Sequence, residues 1–294
     1  MIPRRNNLMV LKSHEIRSQQ SILMAAQRFT FLKGLDKGIQ QSLLQQLRDL
    51  WTHASTAIEG NTLSLGDVKF ILDEGLTVSG KPIKDHQEVI GHAKAIELVY
   101  SFIGRDLAEN DIFDLHKAVQ VEIVTDIYKP YGAWKVELNG TYALDDDGKQ
   151  IFIEYASPGD VSALMQEIMD FINTISKTDI TLEQAPAIYS KVHMGIAHTH
   201  PFWDGNGRIA RLVSNIPLLN SGLPPLVIPS EKRQTYIETL ARYQRELGEI
   251  TAESGVWPQP SKLLEFTTFC ANAYQATKQL VEQAKQQQIA RKSK

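Results

Sequence analysis

Over residues 36–58 the apolar side chains Ile39, Leu43, Leu47, Leu50, Ala54 and Ile58 recur at steps of three and four. That spacing lays one continuous stripe along a helix, and Gly60 with Asn61 offers residues that tolerate the left-handed backbone ending it. A striped helix of this length needs other helices to cover it. The sequence supplies them over 65–74, 85–103, 108–119 and 158–175, each beside a Gly, Asn or Pro breaker. Further helices are expected over 187–199, over 205–220 with a kink at Pro217, over 231–247 and over 263–284. The last is expected either to cap the core or to pair two copies as a homodimer.

One region departs from this period. WKVEL (134–138) and IFIEY (151–155) alternate and are rich in β-branched and aromatic residues, and Asn139-Gly140 and the run 145–148 are turn chemistry. A β-hairpin over these segments is expected. The fold class is therefore all-α with one inserted hairpin. The closing KQQQIARKSK is polar, lacks apolar periodicity and is expected to fray.

Composition narrows the function classes. With 43% hydrophobic and 22% charged residues in 294 positions, the chain can bury a sizeable core. A net charge of -3 with well-mixed signs gives no surface for nucleic acid, and no second basic helix pair suggests a DNA-reading extension. The single Cys270 cannot form an internal disulfide, which fits a reducing compartment. No signal-like apolar run opens the sequence, and no window reaches the roughly eighteen apolar residues of a membrane span. A soluble, cytoplasmic chain without a membrane partner is expected.

The chemistry concentrates in HTHPFWDGNGRIAR, residues 198–211. A helix ends near Thr199, Pro201 cannot continue it, and Gly205, Asn206 and Gly207 permit a tight loop whose N–H groups point into the start of the next helix. Unpaired N–H donors and the helix dipole both favour an anion there, phosphate above all. Arg208 and Arg211, three apart, share a face and can reach one polyphosphate. Asp204 would repel that anion unless it holds Mg²⁺, which needs few protein ligands. His200 has an ordinary pKa near about 6.5 and suits proton abstraction from a hydroxyl. Phe202 is expected to anchor the loop in the core, whereas Trp203 can pack anywhere. His193 and His198 lack a Cys or acid at zinc-ligand spacing and are read as support or packing.

The nine positions His200, Pro201, Phe202, Asp204, Gly205, Asn206, Gly207, Arg208 and Arg211 match in full the signature of the Fic (filamentation induced by cAMP) domain proteins. At about one residue type in twenty, a chance match is on the order of 10⁻¹² per start position. The resemblance extends over roughly residues 50–245. It implies transfer of AMP from ATP to a Ser, Thr or Tyr hydroxyl of a target protein. His200 would then deprotonate the hydroxyl, and Asp204 would hold Mg²⁺ at the α and β phosphates. Gly205, Asn206 and Gly207 would cradle phosphate oxygens, and Arg208 and Arg211 would hold the β and γ phosphates. The implied division is an N-terminal helical region (1–105), a catalytic core (106–247), and a C-terminal helix with a polar tail (248–294).

STAIEGN, residues 55–61, puts Ser55 and Glu59 on one helix face, with Glu59 in the last turn, where the dipole disfavours its charge by roughly 0.3 to 1 kcal/mol. Such an acid calls for a cationic partner elsewhere. The segment resembles the inhibitory motif of Fic proteins, carried on a helix over about 38–60, with Ser55, Glu59 and Gly60 as its marks. The resemblance implies that Glu59 pairs with Arg211 and denies it to the γ phosphate.

In the same family a hairpin flap aligns the target by strand addition, which makes Val136, Glu137 and Leu138, together with Ile151 to Ile153, the docking candidates here. Tyr128, Tyr131, Tyr142 and Tyr155 surround the hairpin as candidates for self-modification. Tyr236 and Tyr243 are candidates for the adenine pocket, against amphipathic packing at seven-residue spacing. Three other readings stay open: removal of AMP with Glu59 orienting a water, another nucleotide or phosphocholine donor, and a nucleotide-sensing or partner-binding module with vestigial catalysis.

Overall fold

The computed structural model describes residues 26–121, 126–144 and 147–293, the side chain of Leu144 excepted. The expected hairpin turn at 145–148 falls partly outside it, at Asp145 and Asp146, as do the first 25 residues of the expected N-terminal region.

The described chain is helical apart from one two-stranded sheet. α1 (Lys37–Ile58), α2 (Leu65–Glu74), α3 (Ile83–Ser101) and α4 (Glu109–Val119) precede β1 (Gly140–Leu144) and β2 (Gln150–Glu154). α5 (Pro158–Ile175), α6 (Ala185–Thr199), α7 (Asn206–Val213), α8 (Ile216–Asn220), α9 (Arg233–Leu247), α10 (Leu264–Ala273) and α11 (Gln275–Lys292) follow. Short 3₁₀ turns sit at Thr30–Leu32, Ser230–Lys232 and Pro260–Leu263. The all-α class with an inserted hairpin is therefore the architecture of the chain. Among the described residues, no helix is long and apolar enough to cross a membrane.

Local chemistry sets the boundaries. α2 opens with a reciprocal capping box, in which Ser64 Oγ accepts from the Asp67 N–H and the Asp67 carboxylate accepts from Ser64, and it closes on left-handed Gly75. α1 buries Ile39, Leu43, Leu47, Trp51, Ala54 and Ile58, the expected stripe with Leu50 replaced by Trp51 at its centre, against α3, α2 and α11. α6 is the axis of the catalytic half, packed on α5, α7 and α10. Burial of its Tyr189, Val192 and Ile196 stabilises the fold by about 2 kcal/mol each.

Four expectations are corrected. The first strand is not 134–138: β1 begins at Gly140 and pairs antiparallel with β2, Gly140 opposite Glu154 and Leu144 opposite Gln150. Segment 134–138 is tied instead to the loop after α6 (Ala185–Thr199), with Lys135 N donating to Pro201 O at 2.8 Å, so Asn139-Gly140 is a strand entrance rather than a turn. Asn61, second, has no left-handed backbone; Gly60 alone, at φ 100, ends α1. Third, Pro217 does not kink one helix. The chain breaks between α7 and α8, where the Asn215 side chain bonds to both N and O of Leu226, and Pro217 lies in the first turn of the new helix. Last, the expected helix over 263–284 is two helices meeting at Tyr274, and the polar tail continues α11 to Lys292. Gln288 holds it there, accepting from Asp36 N at 2.6 Å and donating to the Asp36 carboxylate at 3.0 Å. Phe266, Cys270 and Ala273 of α10 and Val281 and Ala284 of α11 are buried within the chain, as in capping helices.

Candidate active site

α6 ends on His200, the only non-glycine residue with positive φ among those described, at φ 49. An L-residue there costs on the order of 1–2 kcal/mol, strain that the following loop sustains. Phe202 is fully buried with its ring stacked 4.0 Å from His116, the anchoring expected of it. Asn206 closes the loop: its Oδ1 accepts from Phe202 N at 2.8 Å and its Nδ2 donates to Phe202 O at 2.8 Å. Gly205, at φ 81, then turns the chain into α7, whose first N–H groups have no helical acceptor and face the loop.

Arg211, with a side chain 2% exposed, is bonded at every nitrogen. Nε donates to Ser55 Oγ at 3.0 Å, Nη2 to Ser55 O at 2.9 Å and to Glu59 Oε1 at 2.6 Å, and Nη1 to Tyr236 Oη at 3.2 Å. Tyr236 Oη is braced in turn by His193 Nε2 at 2.9 Å, so His193 supports the site through a tyrosine. α1 has no basic residue in its last turn, and its cations come from elsewhere: Arg211 at Ser55 O, and Arg233 Nε at Ile58 O, 2.6 Å away. Burial pushes the Glu59 carboxyl up, but the charge and hydrogen bond of Arg211, with Arg208 and Arg233 behind, hold it below its ordinary value.

The Glu59 carboxylate lies over the first turn of α7. A Cβ on Gly207 would stand 2.6 Å from Glu59 Oε1 and 3.0 Å from Arg211 Nη1. Only glycine admits a carboxylate this close, and the spot it fills is the one suited to a phosphate oxygen. Arg208 turns the other way, Nη1 donating to Val119 O at 2.9 Å and Nη2 lying 3.4 Å from Asp204. The two arginines thus do not converge in this state, and the Asp204 side chain is 52% exposed at the loop edge.

A cavity of about 280 Å³ opens beside this turn, lined among others by Glu59, His200, Asn206, Gly207, Arg211 and Arg233. Tyr142, Tyr155, Tyr236, Ile237, Leu240 and Gln244 complete its apolar and aromatic side. It lies at the small end of ligand sites. Tyr243 stays outside it, packed edge-on to His198 at 5.6 Å, so of the two tyrosines proposed for the base pocket only Tyr236 lines the cavity. Val136, Glu137 and Leu138 are exposed ahead of β1, and Tyr128 and Tyr142 are exposed as well.

The sequence did not single out the surroundings of His200. The Tyr155 ring stacks on it at 3.9 Å and 8°. Asn139 Nδ2 lies 2.9 Å and Asn206 Nδ2 3.1 Å from its Nδ1, and Lys135, 3% exposed, donates from Nζ to Asn139 Oδ1 at 2.5 Å. Burial, then the Lys135 charge, push the His200 pKa down to about 3, so the ring is neutral near pH 7. Arg233 was missed as well. Its one sequence signal is a cation in EKRQTY at the start of a helix, where the dipole disfavours it.

Residues 106–218 match the Fic/DOC family. The protein adenylyltransferase fic-1 of Caenorhabditis elegans is 32% identical over 202 residues, covering 67% of this chain and 37% of the relative. Protein adenylyltransferase Fic of Drosophila melanogaster is 33% identical over 189 residues, covering 63% and 35%. The chain spans little more than a third of the length of these curated relatives. Among solved structures, a Fic-domain-containing signaling protein from Bacteroides thetaiotaomicron superposes with a TM-score of 0.74 at 26% identity, covering 90% of this chain and 97% of that one.

Proposed function

We propose that this chain, a member of the Fic/DOC family through its domain at residues 106–218, transfers AMP from ATP to a hydroxyl of a target protein and is held repressed by Glu59. The observation that carries the reading is the ion pair of Glu59 with Arg211 across the first turn of α7. The turn and Arg211 suit a phosphate, and a carboxylate of the same chain occupies that cation. The relatives' name, protein adenylyltransferase, supports the reaction class.

In the reaction His200 takes the proton of the target hydroxyl, that oxygen bonds to the α phosphorus, and the bond to the β-phosphate oxygen breaks, releasing pyrophosphate. Asn206 and the N–H groups of α7 cradle phosphate oxygens, with Arg211 free to hold the γ phosphate once Glu59 leaves. Tyr236 braces Arg211, and Ile237 and Leu240 offer an apolar wall to the base. Asp204 fits Mg²⁺ as one hard, half-exposed carboxylate beside the turn, because that ion keeps waters and takes its remaining ligands from phosphates. When bound it would offset phosphate charge. The target segment docks by strand addition at the flap, beside exposed Val136 and Leu138.

The test uses ATP labelled on its α phosphate, Mg²⁺ and a cell lysate, with wild type, Glu59→Gly, and Glu59→Gly with His200→Ala. Label retained on protein with Glu59→Gly, weak with wild type and absent from the double variant, is expected. No label with any variant overturns AMP transfer from ATP, and equal label with wild type and Glu59→Gly overturns the repression.

A further inference from the structure

The base of the flap grips the catalytic loop through polar atoms whose donor and acceptor roles are fixed. Asn139 Oδ1 accepts from Lys135 Nζ, so its Nδ2 is the atom turned to His200 Nδ1 and, at 3.0 Å, to Phe202 O. Asn206 is oriented as firmly, its Oδ1 taken by Phe202 N. Both amides therefore present N–H donors to Nδ1, which accepts. A neutral imidazole whose Nδ1 accepts carries its proton on Nε2. In that tautomer neither nitrogen can take a proton from a hydroxyl: Nδ1 is occupied by two donors, and Nε2 is already protonated.

We propose that Asn139, held by Lys135, is a positioning residue that sets the tautomer of His200, and that the flap thereby controls when this ring can act as a base. The inference rests on the proposed role of His200 as proton acceptor. Asn139 belongs to the flap segment: its carbonyl accepts from Tyr155 N at 3.1 Å, and β1 begins at the next residue. A strand added at the flap moves the backbone that carries it. When its amide leaves, Nδ1 loses the shorter of its two donors and Phe202 O loses one of its two. The one donor then left on Nδ1 is the longer Asn206 contact at 3.1 Å; once that amide turns wholly to Phe202 O, to which it already donates at 2.8 Å, Nδ1 can carry the proton and Nε2 is left bare. Target docking and base activation then become one event, separate from the Glu59 contact on Arg211.

Lys135 makes the restraint stiff. Its ammonium is buried with no ion pair among the described residues, with Thr199 O 3.5 Å from Nζ, and burial lowers its pKa to about 8, opposed by Glu249 and Glu154. The other groups that bear on the ring are Tyr155 stacked on it and, around the cavity, Glu59 of α1, Arg211 of α7, and Arg233 and Tyr236 of α9.

The test reads the ring itself. The 294-residue chain is labelled with ¹⁵N-histidine, and long-range ¹H–¹⁵N spectra are followed against pH, with His200→Ala assigning the signal. Wild type is expected to hold the Nε2–H tautomer. Asn139→Asp, nearly isosteric, presents an acceptor and is expected to switch the ring to Nδ1–H and raise its titration midpoint by about one pH unit or more. Lys135→Met is expected to raise the midpoint, and Lys135→Arg to restore it. An Nδ1–H ring in wild type, or one that ignores Asn139→Asp, overturns the proposal. The same substitutions in Glu59→Gly are assayed for AMP transfer across pH, where Asn139→Asp is expected to move the profile. A tautomer that responds while no variant transfers AMP sinks the transfer reading and leaves Asn139 as the residue that sets the tautomer, without a base for the flap to control. Transfer with an unresponsive tautomer does the reverse.

Discussion

Glu59 Oε1 lies 2.6 Å from Arg211 Nη2, and the two ends of this pair differ in solvation. The arginine side chain is 2% exposed and the glutamate side chain 39%. Removing one end is therefore unlike removing the other. Arg211→Met leaves Ser55 Oγ, Ser55 O and Tyr236 Oη without their shared donor inside the core and is expected to cost about 3–5 kcal/mol. Glu59→Gln keeps an acceptor for Nη2 but leaves the buried guanidinium without its carboxylate, and is expected to cost less, about 1–2 kcal/mol. Urea unfolding of the two variants checks the asymmetry.

The Glu59 pair does not respond to mild acid. A carboxyl whose folded pKa lies below its unfolded value contributes stability that is present above the unfolded value and lost only as pH falls through the folded one. Repression by Glu59 is thus expected to persist at pH 5. The ratio of AMP transfer by Glu59→Gly to that by wild type should stay flat from pH 8 to pH 5, and a ratio that collapses by pH 5 counts against the pair as the restraint.

Acid is expected to destabilise the whole fold for a different reason. His116 and His198 are pushed by burial to about 4 and His200 to about 3, and burial carries His92 and His193 well below 6.5. Below pH 6.5 the unfolded chain gains protons that the folded chain refuses, so stability falls as pH falls, by up to about 1.4 kcal/mol per pH unit for each ring. Denaturant midpoints at pH 7, 6, 5 and 4 measure the slope, which should be steepest near pH 5 and decline near pH 4 as His116 and His198 titrate in the fold.

Gly207→Ala tests the close approach over α7. Its Cβ would meet the far end of the flexible Glu59 side chain 2.6 Å away, so the carboxylate moves rather than the backbone. The expected cost is about 1 kcal/mol in wild type and less in Glu59→Gly, where only the end of the Arg211 side chain, 3.0 Å away, remains close. Equal costs in the two backgrounds would place the clash elsewhere.

Asp204→Asn separates metal affinity from folding. The half-exposed carboxylate has one long contact, 3.4 Å to Arg208, so stability should change by less than about 0.5 kcal/mol. The Mg²⁺ concentration for half-maximal AMP transfer in Glu59→Gly should rise about tenfold or more. A metal titration of the transfer rate decides it.

The helices and the glycine turn before α7 were legible because each depends on neighbours in sequence: a stripe at steps of three and four, a proline, a glycine at φ 81. The partner of Glu59 was legible only through resemblance, since 152 positions separate it from Arg211. WKVEL misled because its alternation in sequence has no counterpart in burial: Val136, Glu137 and Leu138 are all exposed. The charged Lys135 is buried, the lysine being required as a donor beneath the loop. The tail misled because an amide pair with Asp36, not an apolar stripe, holds it. Asn139 and Arg233 gave almost no local signal; each works through contacts made across the fold.

α1 is clamped at both extremities. Gln288 grips the residue before its first turn, Arg211 and Arg233 grip the carbonyls of its last turn, and its 22 residues make a rod about 33 Å long buried along one side. Such a rod cannot swing out like a gate arm. Release of Arg211 by Glu59 is then confined to the final turn and its half-exposed carboxylate, beside left-handed Gly60, and a trigger needs to disturb only that one turn of peptide.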